Sequence, residues 1–153
     1  MDVFAEIKTM LDKHRCAYAV SDHAPTPRSI DAARIRGTPI EQGAKAIVLR
    51  SEGRFLMCVL PGSQKIDFHK IKTILSSKSV SLATPEEVYK VTQCVTGSVP
   101  PFGNLFGIPL YIESSLLRNE EISFNAGLQT RSITMKSEEY RRVANGIVKE
   151  FAR

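Results

Sequence analysis

The chain has 153 residues, of which 42% are hydrophobic and 24% are charged. This is the composition of a folded globular protein, and it excludes a disordered or collagen-like chain. At this length one domain, residues 1–153, is expected. The longest apolar runs fall far short of the roughly 20 residues of a membrane span, and the first ten residues lack the pattern of a secretory signal. The sequence therefore predicts a soluble, cytoplasmic protein that does not act in a membrane.

Basic residues outnumber acidic residues by 21 to 16, so the net charge is +5. A surplus of this size is a mild bias toward a polyanionic partner. It is equally typical of a soluble protein that is simply basic. Charge alone therefore leaves both interpretations open.

Cysteine and histidine, the residues that most often bind metals or serve as nucleophiles, form no recognisable motif here. These residues are Cys16, Cys58, Cys94, His14, His23 and His69. None has a partner at zinc-ligand spacing, and three scattered cysteines do not predict a disulfide framework. The dinucleotide, phosphate-loop, nucleophile-elbow and zinc-protease motifs are absent as well. The sequence thus predicts no metal and no cofactor.

Apolar residues at helical spacing, together with capping residues, predict five helices. They are residues 2–14, Ser29–Arg36, a helix capped by Asp67, a helix capped by Thr84, and a closing helix over 140–151. Thr84 is followed by Pro85 and, three residues after the cap, by Glu87, which is the pattern of a capping box.

Short apolar runs predict the strands. They are residues 17–21, 45–50, 54–60, 80–82, 110–113, 122–124 and 132–135, with a loop over 21–27 and an interruption of the sheet at 125–127. The second and third runs are separated by three residues, as in a β-hairpin. Because strands cluster in hairpins, we expect an α+β layered fold with a mixed β-sheet flanked by helices.

Two features are poorly explained by structure alone. Lys45 begins a strand among apolar neighbours, either as a lysine that extends its charge to solvent or as a partly buried functional group. The segment 97–103 holds two prolines between glycines. It is either a rigid turn or a fixed wall that presents backbone groups to a small ligand.

These features resemble motifs of the YbaK/EbsC and prolyl-tRNA synthetase editing (INS) domain family. Residues 43–49 resemble its lysine strand, and residues 97–103 resemble its G-x-x-x-P loop, with Gly97 and Pro101 at the matching ends. Residues 124–127, followed by the strand over 132–135, resemble its late small-residue turn. Each motif is short, but their order and spacing are specific and cover essentially the whole chain.

The resemblance implies a single compact α+β domain with a central curved mixed β-sheet flanked by helices, and a freestanding editing enzyme. Family members hydrolyse wrongly charged aminoacyl-tRNA, so we expect an aminoacyl-tRNA deacylase acting on proline tRNA or a related tRNA. The amino acid removed would be small, such as alanine, cysteine, serine or threonine. The resemblance implies no metal and no cofactor, aminoacyl-tRNA as a partner, prolyl-tRNA synthetase as a candidate partner, and no DNA.

The resemblance also implies the site. Lys45 would be the catalytic residue, holding the phosphate of the terminal nucleotide or the reacting ester. The substrate-binding residues would be Gly97, Ser98, Val99, Pro100, Pro101, Thr26, His23, Ala46, Asn125, Ala126 and Gly127. Contacts to the tRNA acceptor stem would come from Lys70, Lys72, Arg141 and Arg142. For His23 a bond to local backbone, and for the four cations a solvated helix face, are the alternatives.

Three positions depart from the family's known branches. The alanine-specific branch has Asn in place of Ala46 and His in place of Asn125, and the cysteine-specific branch has Asp near the position of Ser132. The amino acid removed therefore stays open.

Two other functions remain open at this point. A non-catalytic module that binds the tRNA 3′ end or a synthetase would explain the mild basicity and the lack of an obvious general base, and its binding would depend on salt. An esterase or amidase for small molecules could use the same pocket.

Overall fold

The computed structural model describes residues 1–26 and 28–153. The α-helices are α1 (Val3–Lys13), α2 (Ser29–Arg36), α3 (Phe68–Leu75), α4 (Pro85–Thr92) and α5 (Ser137–Ala144). The strands are β1 (Tyr18–Asp22), β2 (Ala44–Ser51), β3 (Arg54–Pro61), β4 (Ser81–Leu82), β5 (Leu110–Glu113), β6 (Glu121–Leu128), β7 (Arg131–Lys136) and β8 (Ile147–Lys149). Short 3₁₀ turns occupy Ile40–Gln42, Gly103–Leu105 and Ser114–Arg118. The loop predicted over 21–27 starts after β1, and its last residue, Pro27, lies outside the described residues.

The strands form two sheets. One is a mixed five-stranded sheet in the order β4-β2-β3-β5-β8, in which β3–β5 and β5–β8 are parallel. The other is an antiparallel three-stranded sheet in the order β1-β7-β6. A single parallel bridge between Gly43 and Ser123 joins the start of β2 to β6. The predicted α+β class with a mixed sheet is confirmed, and its strands are divided between two sheets.

The β2–β3 hairpin sets the register of the larger sheet. Its two-residue loop, Glu52 and Gly53, has positive φ at both positions (51° and 77°), as a tight hairpin turn of the right twist requires. Ser51 pairs with Arg54 next to the loop, and the register continues to Ala44. The hairpin register therefore determines which β2 side chains lie on each face of the sheet. It also determines which β2 backbone groups point toward β3 and which point away from it.

Two buried clusters lie on opposite faces of the five-stranded sheet. The larger cluster includes Ala44 and Val48 of β2 and the aromatic residues Phe102, Phe124 and Tyr140. The rings of Phe124 and Tyr140 meet that of Phe102 edge to face, with centroids 5.5 and 5.2 Å apart. The second cluster packs α3 against the other face, and it includes Leu49, Leu60, Ile71 and Phe151.

The closing helix was predicted too long. It ends at Ala144, because Asn145 adopts a left-handed conformation (φ 50°). A side chain at the next position, Gly146, would come within 2.8 Å of Leu110. Residues 147–149 form strand β8 beside β5 instead. The apolar spacing from Tyr140 to Phe151 fits one long helix as well as a helix followed by a strand.

The predicted interruption at 125–127 is a bulge within a strand and not the end of one. β6 continues to Leu128, with a register shift between Asn125 and Leu128 that marks a bulge. Gly127 supplies the positive φ of 87° at this irregularity. The bulge re-aims the strand locally, and Asn125 stands at its start.

Glu113 is a buried carboxylate, 4% exposed, that fastens the C-terminal segment to β5. It accepts hydrogen bonds from the N–H and hydroxyl of Ser115 and from the backbone N–H groups of Phe151 and Ala152. Burial alone would raise the pKa of Glu113, but these four donors outweigh burial and lower it. The folded state therefore depends on the ionised form.

We predict that Glu113→Gln lowers the free energy of unfolding at pH 7 by about 2 kcal/mol, because an amide cannot accept all four bonds. The stabilisation of the wild type by ionised Glu113 is complete above the ordinary glutamate pKa of about 4.3. It is lost as the pH falls through the lower folded value. Urea unfolding at pH 7 and pH 3 measures both. Glu121→Gln, at an exposed position of β6, is the control and should have no effect. An equal loss for Glu113→Gln at both pH values would contradict this account.

Candidate active site

A pocket of about 360 Å³ lies between α2, the first half of β2 and the loop that begins at Thr96. Strand β4 pairs with β2 at Leu49 and Arg50, and β6 bridges the chain at Gly43, so no described strand pairs with the edge of β2 between these points. Residues 43–48 form one wall of the pocket along this edge. The site thus exists because β4 is short.

The open edge presents backbone groups to the pocket. The N–H of Ala83 donates to the carbonyl of Val48 at 3.0 Å, so the backbone of Val48 faces away from β3. Peptide groups of an antiparallel strand alternate in direction, and Ala46 therefore faces the same way. Because β4 does not reach Ala46, its N–H and C=O face the pocket and can bind a ligand as a missing strand would.

Lys45 is the one lysine among the described residues that line this pocket. Its side chain is half-buried, and it makes no hydrogen bond or ion pair with any residue that the structure describes. Burial, together with the charge of Lys65, lowers the pKa of Lys45. An ammonium group that is partly desolvated and without a partner suits a site for a negative or developing negative charge.

The G-x-x-x-P loop contributes to the pocket at one end and to the core at the other. Gly97 (φ 90°) and Val99 line the pocket. Ser98 is fully buried, and its hydroxyl donates to the carbonyl of Val95 at 2.7 Å. Pro100 and Pro101 are buried as well, and the carbonyl of Pro101 accepts a 2.6 Å bond from the Tyr140 hydroxyl. The core thus holds the loop while Gly97 faces the ligand space.

Asn125 connects the loop to the late strands. Its Nδ2 donates to the carbonyl of Gly97 at 2.8 Å. Its Oδ1 accepts from Arg36 at 3.0 Å, and from the hydroxyls of Thr26 and Ser132 at 3.3 Å each. Asn125, Thr26 and Arg36 all line the pocket. The amide therefore fixes the positions of Gly97, Arg36 and Thr26 relative to one another.

The two residues after Asn125 pack against the core and do not contribute to the pocket lining. Ala126 is fully buried in the larger cluster. A side chain at Gly127 would come within 3.0 Å of Val3. The backbone N–H of Gly127 donates to the carbonyl of Ser98 at 3.0 Å. Both residues hold the loop and α1 in place, and neither lines the pocket.

His23 lies one layer behind the pocket wall. Its Nδ1 is 2.8 Å from the carbonyl of Ala24, and its Nε2 is 2.7 Å from the hydroxyl of Ser132. The carbonyl accepts only, so Nδ1 carries a proton, and Nε2 lies within hydrogen-bond distance of the Ser132 hydroxyl. His23 thus orients a hydroxyl that in turn contacts Arg36 and Asn125.

Arg36 was missed by sequence reasoning. It ends α2, and its Nε donates to Ser132 at 2.8 Å while its Nη2 donates to Asn125. Burial lowers the pKa of Arg36 to about 10. An arginine in the last turn of a helix is ordinary in sequence, so only the tertiary contacts with β6 and β7 indicate its place in the site.

The four cations predicted to contact tRNA lie away from the pocket. Lys70 and Lys72 are on α3, and neither is among the described residues that line the pocket. On α5, Arg141 is exposed and Arg142 pairs with Glu139 at 2.9 Å. The cations that do line the pocket are Arg28, Arg36 and Lys45, and no acidic residue is among the described lining residues.

Among residues 1–26 and 28–153, no group of three potential metal ligands comes together. In the same part of the chain no helix has the length and apolarity needed to cross a bilayer.

Comparison with known proteins places this geometry in a family. The sequence profile described as "Aminoacyl-tRNA editing domain" matches residues 23–143. The chain belongs to this family. The resemblance inferred from the lysine strand and the G-x-x-x-P loop is confirmed, and this editing domain is an ester hydrolase that acts on aminoacyl-tRNA.

Relatives of known activity and solved structures agree with this assignment. The Multifunctional Ser/Thr-tRNA deacylase ProXp-y of Escherichia coli K12 is 31% identical over 94% of this chain and 89% of its own length. The proline–tRNA ligase of Geobacillus thermodenitrificans is 33% identical over 41% of this chain, which corresponds to 11% of the ligase. The crystal structure of a candidate trans-editing enzyme for prolyl tRNA synthetase superposes with a TM-score of 0.86 at 22% identity. It covers 100% of this chain and 98% of its own, and it confirms the fold.

We predict that Asn125→Ala lowers kcat/KM for aminoacyl-tRNA about tenfold to a hundredfold, because Gly97 and Arg36 lose their common anchor. The matched control is Gln129→Ala, which removes an amide hydrogen bond to the carbonyl of the adjacent loop residue Thr96 and whose own side chain is not part of the pocket lining. Deacylation kinetics and thermal unfolding should be measured for both. Equal activity of the two variants would show that the Asn125 network does not position the substrate.

Proposed function

We propose that this editing domain acts in trans on mischarged tRNA and removes a small amino acid, with serine and threonine as the first candidates. The observation that carries the proposal is the juxtaposition of Lys45, the open edge of β2 and Gly97 around one pocket. The name of the Escherichia coli relative supports serine and threonine.

The chemistry needs little from side chains. An aminoacyl ester is already activated, so orientation of a water molecule and stabilisation of the oxyanion supply much of the rate. Water attacks the ester carbonyl, the bond to the ribose oxygen breaks, and the tRNA leaves with a free hydroxyl. Backbone N–H groups of Ala46 and of the loop at Gly97 are the proposed donors to the oxyanion. Lys45 provides positive charge beside the reacting ester or the terminal phosphate.

The walls of the pocket fit a small, hydroxylated amino acid. Alanine and glycine provide much of the lining, at Ala44, Ala46, Ala83 and Gly97. Size alone discriminates by only about 1–3 kcal/mol per methylene, whereas hydrogen bonds to a substrate hydroxyl discriminate more strongly. Thr26 and Asn125 place such groups in the lining. Ala46 and Asn125 replace the Asn and His of the alanine-specific branch, which favours serine and threonine over alanine.

Proline tRNA and a related tRNA are both proposed carriers of the wrong amino acid. The likeness to segments of proline–tRNA ligases supports proline tRNA, and it also makes prolyl-tRNA synthetase a proposed partner. Lys70, Lys72, Arg141 and Arg142 remain proposed contacts for the acceptor stem. Because these residues do not line the pocket, they would contact the paired part of the stem and not the 3′-terminal nucleotide.

A binding role without hydrolysis is the second candidate. It is favoured by one observation: no histidine or carboxylate is among the described residues that line the pocket. Such a module would retain tRNA in a salt-dependent manner and would leave the ester intact.

We predict that Lys45→Ala lowers the deacylation rate at least about a hundredfold, because the single ammonium at the pocket wall is lost. The matched control is Lys65→Ala, which removes the neighbouring lysine that does not line the pocket. The substrates are proline, serine and threonine tRNAs carrying serine, threonine, alanine or cysteine, and the measurement is the loss of radiolabelled amino acid.

Full activity of Lys45→Ala, with the fold retained by circular dichroism, would contradict the proposed role of Lys45. Ester loss at the uncatalysed rate in the wild type, together with salt-dependent retention of tRNA, would favour the binding module. Turnover of free amino-acid esters at the rate seen with tRNA would favour a small-molecule esterase.

A further inference from the structure

Arg36 is a partly buried cation whose hydrogen-bond partners among the described residues are all neutral. Its guanidinium donates to the hydroxyl of Ser132 and to the amide oxygen of Asn125. It forms no ion pair with any carboxylate that the structure describes; the ion pairs there involve Arg28, Arg50, Arg131 and Arg142. Buried charges are normally paired, because removing them from water is costly. The fold thus holds a cation in the pocket wall without balancing its charge.

The third nitrogen of this guanidinium is available to a ligand. Nη1 makes no hydrogen bond to a residue within 1–26 or 28–153, while Nε and Nη2 are both engaged. A methyl group at Gly43 would lie 3.7 Å from Nη1, which places this nitrogen at the start of the β2 wall. Gly43 and Arg36 line the same pocket. An anion entering there would meet a guanidinium whose orientation is already fixed by two other bonds.

The chemistry of the proposed substrate offers one permanent anion near this point. The amino acid carries an amine at its free end, and the ester is neutral, whereas the phosphodiester before the terminal adenosine is always charged. Arginine suits this group because its planar donors match phosphate oxygens and its charge persists at all physiological pH values.

We propose that Arg36 binds the phosphodiester on the 5′ side of the terminal adenosine. The inference rests on the proposed function and assigns separate tasks to the pocket's cations. Arg36 holds the nucleotide, and Lys45 faces the ester. Arg28 is a weaker candidate, because its side chain is 72% exposed and already pairs with Asp31 at 2.8 Å.

The test compares two small substrates that differ in one phosphate. They are 3′-O-seryl-adenosine and the same ester carrying a 5′-methylphosphate. We expect the wild type to prefer the phosphate-bearing ester by about tenfold or more in kcat/KM, the contribution of a charged hydrogen bond. In Arg36→Gln this ratio should fall to about one. In Arg36→Lys it should be partly retained. Arg34→Gln is the matched control, because Arg34 is an exposed residue of the same helix outside the pocket lining.

The ratio separates the proposed role from a structural one. If Arg36→Gln slowed both esters equally and kept the wild-type ratio, Arg36 would act on the ester or on the Asn125 network, and the proposal would be overturned. A wild-type ratio of one would overturn it as well.

A binding measurement keeps the test independent of hydrolysis. Calorimetry with adenosine 5′-methylphosphate and with adenosine should show the same preference in the wild type and its loss in Arg36→Gln. If neither ester is hydrolysed but this preference is found, the proposed hydrolysis fails and Arg36 remains the phosphate site. If hydrolysis occurs and neither measurement shows a preference for the phosphate, the proposed hydrolysis stands and the Arg36 phosphate site is overturned.

Discussion

The unpaired edge of β2 is the constraint on which the site depends. A strand edge normally exposes backbone groups that pair with another strand or are covered. Here the β4 segment bonds to β2 from Val48 to Arg50 and β6 bridges the chain at Gly43, while the loop from Thr96 and helix α2 enclose the edge between them. The fold therefore builds a pocket whose donors and acceptors are backbone groups, held by the full-length hairpin with β3 on the other side.

Electrostatics complements this arrangement. Cations and neutral amides or hydroxyls line the pocket among the described residues, and carboxylates do not. Asn125 is central because it accepts from Arg36 and donates to Gly97, so one neutral side chain connects the cation to the loop. A carboxylate in its place would neutralise Arg36 and reduce its attraction for an anion. The absence of a carboxylate from the described lining is consistent with a substrate that carries a negative charge.

Local patterns in the sequence predicted much of the fold. The hairpin, the Asp67 cap and the Thr84 capping box were confirmed, because each depends on a few adjacent residues. The end of the chain was misassigned, since the apolar spacing from Tyr140 to Phe151 fits a helix as well as a helix followed by a strand. Only the close approach of Gly146 to β5 and the left-handed Asn145 decide between them.

The site was predictable in part for the same reason. Lys45 and the G-x-x-x-P loop carry motifs that can be recognised in sequence, and the structure brings them together around one pocket. Arg36 and the role of Ser132 depend on contacts across about 90 positions of sequence, which no local pattern contains. The open edge of β2 was equally hidden, because it follows from the shortness of a strand elsewhere in the sheet.

The central claim is that the aminoacylated 3′ end binds along this edge. Its most direct test is the change in backbone amide NMR signals when a non-hydrolysable analogue, 3′-serylamino-3′-deoxyadenosine, is added to the ¹⁵N-labelled protein. We expect the largest shifts at Ala46, Gly97 and the side-chain amide of Asn125, with the signals of α3 and α5 unchanged. Shifts confined to α3 or α5, with Ala46 and Gly97 unmoved, would contradict the account.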